Sequence, residues 1–423
     1  MEAKRIGFVS TRFAGTDGVS LETKKWAAVL ERDGHSCFFM AGVLDTPPER
    51  SHKVAECFFE HPAILETTQG CFGKAIRDPR ITLQVETLKH RLKDALREFA
   101  GTFELDVLIP ENASTIPLNI PLGLAIAEYA IETGMPVIAH HHDFFWERSR
   151  FIDNCCWDYI DKAFPSHLRS ILHVVLNSSQ QHQLSRRRGV AAKVIPNVMD
   201  YANPPPPPDG YAADLRRQLG IEPHEKLILQ PTRIVKRKGI EHAIELVHRL
   251  KMPAKLVISH ASGDEGFEYY HRIREYADLL NVALILCSDE VGERRGMTAD
   301  GRKIYTLADM YHEADFVTYP SVREGFGNAF LEAVYYRRPL LVNDYSIYKY
   351  DIRPKGFRTV EMNGYVSRNE VRRTREILDN PDLASEMTEH NYLLAKRFFS
   401  FEVLIQNLRV LLVDCFGSGN GLA

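Results

Sequence analysis

The sequence predicts an α/β protein built from two doubly wound, Rossmann-like domains facing a cleft. Short apolar runs alternate with helical patterns along most of the chain. A run of five prolines interrupts the alternation near the middle, after which it restarts. The length of 423 residues also exceeds what one ordinary core organises.

In chain order, Arg5–Ser10 (RIGFVS) is a short apolar run, followed by a glycine-containing turn and a helical pattern through Trp26, Ala27 and Leu30. The same alternation recurs at Asp106–Pro110 (DVLIP), Pro136–His140 (PVIAH) and His173–Ser179 (HVVLNSS). Each run has the length and unbroken apolarity of a buried parallel strand. After Lys193–Asp200 (KVIPNVMD), the prolines Pro204–Pro208 can join neither a helix nor a central strand and predict a stiff connector. This places one domain over residues 1–203 and a second over 209–399. The second repeats the pattern at Lys226–Arg233, Ala254–His260, Val282–Cys287, Asp315–Pro320 and Pro339–Asn343. The apolar tail within 400–423 is expected to form a helix that packs back on the first domain. Tandem doubly wound domains carry their ligand sites beyond the carboxyl ends of the strands.

Composition narrows the function. With 44% hydrophobic and 26% charged residues the chain is globular rather than disordered or collagenous. A net charge of −3 gives no overall basic field, which argues against nucleic acid and anionic lipid as partners. Seven scattered cysteines without a C-x-x-C pair read as reduced thiols. The amino terminus lacks the apolar run of a signal peptide, and no stretch has the length of a membrane helix, so the expected location is cytoplasmic and no membrane insertion is expected. Association with a second copy stays open.

Four segments carry candidate chemistry. In PSVREGFGNAFLEA (Pro320–Ala333) a strand end, a loop and a helix beginning near Asn328 separate Glu324 from Glu332 by eight positions, about 12 Å if helical throughout. Two such carboxylates can address two ends of an elongated ligand. The backbone N–H groups of Gly325, Phe326, Gly327 and Asn328 at the helix start suit a diphosphate between them. In QPTRIVKRKG (Gln230–Gly239), Arg233 and Lys238 are two cations for charge that grows on a departing phosphate, although a solvated basic turn is the plainer reading of that segment alone. His140, His141 and His142 precede Asp143 at a strand end; adjacent strand residues face opposite sides, which disfavours a metal site and favours a histidine that meets a sugar hydroxyl. Gly15 and Gly18 bracket Thr16 and Asp17 in the first loop without completing G-x-G-x-x-G, which weakens a dinucleotide reading. Glu111 and Asn112, after the DVLIP strand, are further candidates for binding an acceptor.

Together these residues resemble the retaining nucleotide-sugar glycosyltransferases of the GT-B fold, the family that includes sucrose-phosphate synthase and bacterial mannosyltransferases. The resemblance is strongest over Gln230–Asn343. It implies Glu324 at the donor sugar, Glu332 at the ribose, Arg233 and Lys238 at the diphosphate, and one cleft histidine among His140, His141 and His142, of which His141 and His142 are taken as the catalytic candidates. It places Gly15, Gly18 and the 325–328 loop at the donor, and Asp17, Glu111, Asn112 and Asp143 at the acceptor. It implies front-face transfer of mannose or glucose from GDP-mannose or UDP-glucose to a small soluble sugar, sugar phosphate or glycerate glycoside. The nucleoside-diphosphate sugar is then a co-substrate, with no cofactor and no metal required. The chain departs from the common family pattern in its GTDGV loop, in SHASGDEGFEYY after the second strand of the second domain, and in the tyrosine-rich NDYSIYKYDI segment. The rival readings are a sugar phosphorylase or epimerase of the same fold, a nonenzymatic nucleotide-sugar-binding protein and, third, an NAD dehydrogenase.

Overall fold

The structure, a computed structural model, describes residues 2–15, 17–260 and 267–417. The chain divides into two units, one running to Val198 and resuming at Phe401, the other comprising Met199–Ser400. The proline run therefore lies inside the second unit, and the chain passes between units before it, at 198–199. Tyr201 explains the shift from the expected boundary. It is buried, its hydroxyl donates to the Leu331 carbonyl at 3.0 Å, and its own carbonyl accepts from the Tyr392 hydroxyl at 2.9 Å. The chain is thus anchored to the second unit before the prolines begin.

In the first unit, strands β1 (Arg5–Val9), β2 (Ser36–Ala41), β3 (Ser51–Lys53), β4 (Val107–Pro110), β5 (Val137–His141), β6 (Ile171–Val175) and β7 (Ala192–Val194) form one sheet in the order β3-β2-β1-β4-β5-β6-β7. Every pairing in it is parallel. Helices α1 (Gly18–Arg32), α2 (Pro62–Cys71), α3 (Pro79–Thr102), α4 (Ile120–Thr133), α5 (Trp157–Ala163) and α6 (Ser178–Arg188) complete it. Helix α1 begins where Asp17 accepts from the Val19 and Ser20 amides, and it buries Trp26, Ala27 and Leu30 along one face.

The second unit repeats the plan with β8 (Lys226–Gln230), β9 (Ala254–Ile258), β10 (Leu284–Leu286), β11 (Phe316–Tyr319), β12 (Leu340–Asn343) and β13 (Val360–Met362), in the order β10-β9-β8-β11-β12-β13. These pairings are parallel too. Its helices are α7 (Leu215–Gln218), α8 (Ile240–Leu250), α9 (Glu268–Leu279), α10 (Leu307–Glu313), α11 (Asn328–Tyr335), α12 (Arg368–Asp379) and α13 (Pro381–Phe398). Helix α14 (Phe401–Phe416) returns to the first unit. Its Leu404, Leu408, Leu411 and Leu412 share a core with Trp26, Leu30 and Val107, and Arg409 pairs with Asp33. Both sheets reverse their strand order once, between β1 and β4 and between β8 and β11, and the candidate segments follow those strands.

Candidate functional site

In the second unit the loops after β8 and β11 emerge side by side because the two strands are neighbours. The Val322 amide donates to the Arg237 carbonyl at 2.8 Å, which ties the two sequence motifs together directly. Gly239 has a φ of +60°, and a Cβ there would lie 2.6 Å from the Pro320 carbonyl, so only glycine lets the loops approach this closely. The Glu324 side chain, 9% exposed, takes Lys238 Nζ at 2.5 Å on one oxygen and Arg237 Nη1 at 3.0 Å on the other. Lys238 also lies over the Tyr319 ring, 5.4 Å from its centre. Arg233 is exposed on the same loop. Beyond the loop, Gly327 caps α11 with a φ of +136°, and the Tyr345 hydroxyl donates to the Phe326 carbonyl at 2.9 Å. Glu332, on α11, accepts from the buried Tyr311 hydroxyl at 3.0 Å. The loop after β9 is described only at its ends, so the expectation drawn from SHASGDEGFEYY lies largely outside the described residues.

In the first unit the ends of β4 and β5 meet. Glu111 pairs with His140 as a parallel bridge, and its side chain is wholly buried. Its Oε2 lies 2.9 Å from His140 Nδ1 and 2.9 Å from His142 Nε2. The carboxylate oxygen and the two imidazole nitrogens are close enough together to raise the question of an ion. Ligands about 2.0–2.2 Å from a tetrahedral ion stand about 3.3–3.6 Å apart, whereas 2.9 Å is the length of an N–H···O hydrogen bond. We therefore assign two hydrogen bonds. Asn112 takes the left-handed conformation at a φ of +59°, accepts from the His142 amide at 3.2 Å and donates to Asp143 at 3.1 Å. Asp143 is also paired with Arg148.

No protein-family model matches the chain. It is 32% identical to a mannosylglucosylglycerate synthase of Thermotoga maritima, the alignment covering 95% of this chain and 97% of that one. A second mannosylglucosylglycerate synthase, from Petrotoga mobilis, is 31% identical over 94% of this chain and 99% of its own. The chain belongs to this family of glycosyltransferases. Its fold is shared with the sucrose-phosphate synthase of Thermosynechococcus elongatus, at a TM-score of 0.67 and 15% identity over 98% of this chain and 99% of that one. The fold is therefore GT-B. No helix among the described residues is long and apolar enough to cross a membrane.

Within this glycosyltransferase several expected residues turn out to be spoken for. His141 is buried, with Nδ1 at Thr115 and Nε2 2.9 Å from His173, so both ring nitrogens serve the core and the assignment of a ligand role is corrected. Glu111 faces two histidines rather than an acceptor, because it has no exposed surface. The Phe326 side chain is in the core, packed edge-on against Phe399 at 5.3 Å, which leaves the expectation for its backbone N–H as it was. Asp17 spends one oxygen on the α1 amides and the other on Ser20, 2.7 Å away, and Arg12. Gly15, at a φ of +77°, donates its amide to Asp45 at 3.1 Å, and Gly18 opens α1. Thr16 lies outside the described residues.

Electrostatics sharpen the second-unit cluster. Burial alone would raise the Glu324 carboxyl, but Lys238 and Arg237 hold it below the usual carboxylate range. Burial, with Arg237 and Arg233 nearby, lowers Lys238. His260, at the end of the β9 strand segment, is pushed down to about 4 by burial and by Lys238 and Arg233. It is neutral at pH 7 and adds no repulsion. The sequence reading missed Arg237, which it left among the solvated cations of KRK, although its place one residue before Lys238 was a usable signal. Tyr311 and Tyr345 were missed because nothing local marks a tyrosine that reaches another segment.

Proposed function

We propose that this glycosyltransferase moves mannose from a nucleoside-diphosphate mannose to a glucosylglycerate, retaining the anomeric configuration and requiring no metal. The observation that carries the reading is the Lys238–Glu324–Arg237 cluster, its lysine and carboxylate buried, at the strand reversal of the second unit, where a diphosphate sugar is expected to bind. The relatives' names, which join mannosyl, glucosyl and glycerate groups, support the sugar and the acceptor. Guanine is the base we assign to the donor nucleotide.

In this mechanism Lys238 and Arg233 meet the diphosphate, and Lys238 leaves Glu324 to do so. Glu324 then faces the transferred ring, and Glu332, held by Tyr311, receives the ribose hydroxyls. The acceptor oxygen forms a bond to the anomeric carbon as the bond from that carbon to the phosphate oxygen breaks. The acceptor's proton passes to the departing phosphate. Negative charge grows on that phosphate during the step, so cations fixed beside it stabilise the transition state more than the ground state.

Calorimetric titration with GDP, UDP and ADP, each with and without EDTA, tests the donor assignment. GDP is expected to bind most tightly and to be indifferent to the chelator. Preference for another base would overturn the donor assignment, and loss of binding in EDTA would overturn the metal-free mechanism.

A further inference from the structure

The wholly buried Glu111 carboxylate has both of its hydrogen-bonding neighbours on one oxygen, Oε2, while Oε1 has no partner among the described residues. A nitrogen lone pair set 2.9 Å from an anionic oxygen would be repelled, so His140 Nδ1 and His142 Nε2 must both carry hydrogen and donate it. The two rings differ at their other nitrogens. His140 Nε2 is buried without a partner among the described residues, and Trp26 stacks on the ring at 4.1 Å between centres. A second proton on His140 would be a buried donor with nothing to accept it, so His140 is neutral. The His142 side chain keeps 10% exposure where that of His140 has none, and with Nε2 on Glu111 its remaining ring nitrogen is Nδ1.

The charges around the pair point the same way. Glu111 faces His142 from the end of β4, Glu22 stands on α1, Asp143 follows in the chain, and His140 and the buried His141 complete the surroundings. Glu22 is itself unexposed and pairs with Lys25 at 3.0 Å. Two buried carboxylates with one lysine leave a negative charge for an imidazolium to balance. The backbone of His142 is pinned by Asn112 at its amide and by Gln180 Nε2, 2.9 Å from its carbonyl.

We propose that Glu111 is a positioning residue that grips His142 through Nε2 and so presents Nδ1–H as a charged donor to an oxygen of the bound sugar substrate. The substrate half of this inference rests on the glycosyltransferase reading above; the arrangement of Glu111 and His142 does not. Burial would lower His142, but the hydrogen bond and charge of Glu111 raise it above the ordinary imidazole value, while burial lowers His140. A raised value means that the charged form is complete below the ordinary imidazole range and is lost as pH rises through the elevated one.

The test is nitrogen-15 NMR of the imidazoles in the ligand-free full chain, with His142→Gln used to assign the signal. Wild-type His142 is expected to carry hydrogen on both nitrogens at pH 7 and to titrate at a higher pH than the same signal in Glu111→Gln. The alkaline limb of kcat/KM should move down with it. A wild-type His142 that is neutral at pH 7 overturns the arrangement without need of the variant. An alkaline limb that stays put in a folded Glu111→Gln overturns the substrate contact. A spectrum as expected from a protein that transfers no sugar would instead sink the functional reading and leave the Glu111–His142 arrangement standing.

Discussion

At the scale of single residues, the balance to explain is that of Lys238, an ammonium 8% exposed that burial penalises and Glu324 offsets only in part. Removing it should cost catalysis through the missing cation and leave Glu324 buried without its closer partner. Lys238→Ala is expected to lower turnover at least about tenfold, about 1.4 kcal/mol of transition-state stabilisation, in steady-state assays. The two carboxylates separate by role. Glu332→Ala should weaken free nucleoside diphosphate and donor alike, by about 1.5–3 kcal/mol, and Tyr311→Phe by about 1 kcal/mol through a less firmly held Glu332. Glu324→Gln should lower kcat without weakening free nucleoside diphosphate, since that ligand has no sugar for it to hold and Lys238 then has no ion pair to give up. Paired titrations and kinetics distinguish these outcomes, and the reverse pattern would mean that the donor lies the other way round. Glu324 and Lys238 stand out in the sequence because each lies in a loop that follows a strand, and the structure places the two in contact. The fate of His141 was not legible, since a triple histidine reads alike whether a ring meets Thr115 and His173 or a ligand.

At the scale of elements, the segment from β11 through α11 carries the greatest constraint. A Cβ on Gly327 would stand 2.4 Å from the Tyr345 hydroxyl, and its φ of +136° is strained for any other residue. Gly327→Ala is expected to cost about 1–3 kcal/mol in denaturant unfolding. Adding Tyr345→Phe removes the clashing oxygen and should recover part of that loss, whereas purely additive effects would show that backbone strain alone is responsible. This element was readable because turn residues and helix start lie together in sequence. Strand β2 was passed over, since SCFFMA at Ser36–Ala41 has no polar alternation to set it apart from a buried helix turn. The short β3 and β13, of three residues each, carry too little pattern to read.

At the scale of the whole molecule, the chain leaves the first unit after Val198 and re-enters it with α14. Ending the chain after Ser400 would uncover the core face that Leu404, Leu408, Leu411 and Leu412 fill. A fully buried leucine contributes about 1.5–3 kcal/mol, so the truncated protein should melt at least about 5 °C lower in calorimetry. An unchanged Tm would show that α14 adds nothing to the first unit. The tandem plan was legible from repeated apolar runs, and the tail helix from its leucine and valine content. The crossing point was not, because the proline run marks a stiff segment whether or not Tyr201 has already anchored the chain to the second unit. The account as a whole is tested most directly by incubating the protein with GDP-mannose and glucosylglycerate in EDTA and following the anomeric carbon of the product by NMR. We expect mannosylglucosylglycerate with the configuration of the donor preserved. An inverted product, or transfer that appears only when a divalent metal is restored, would contradict it.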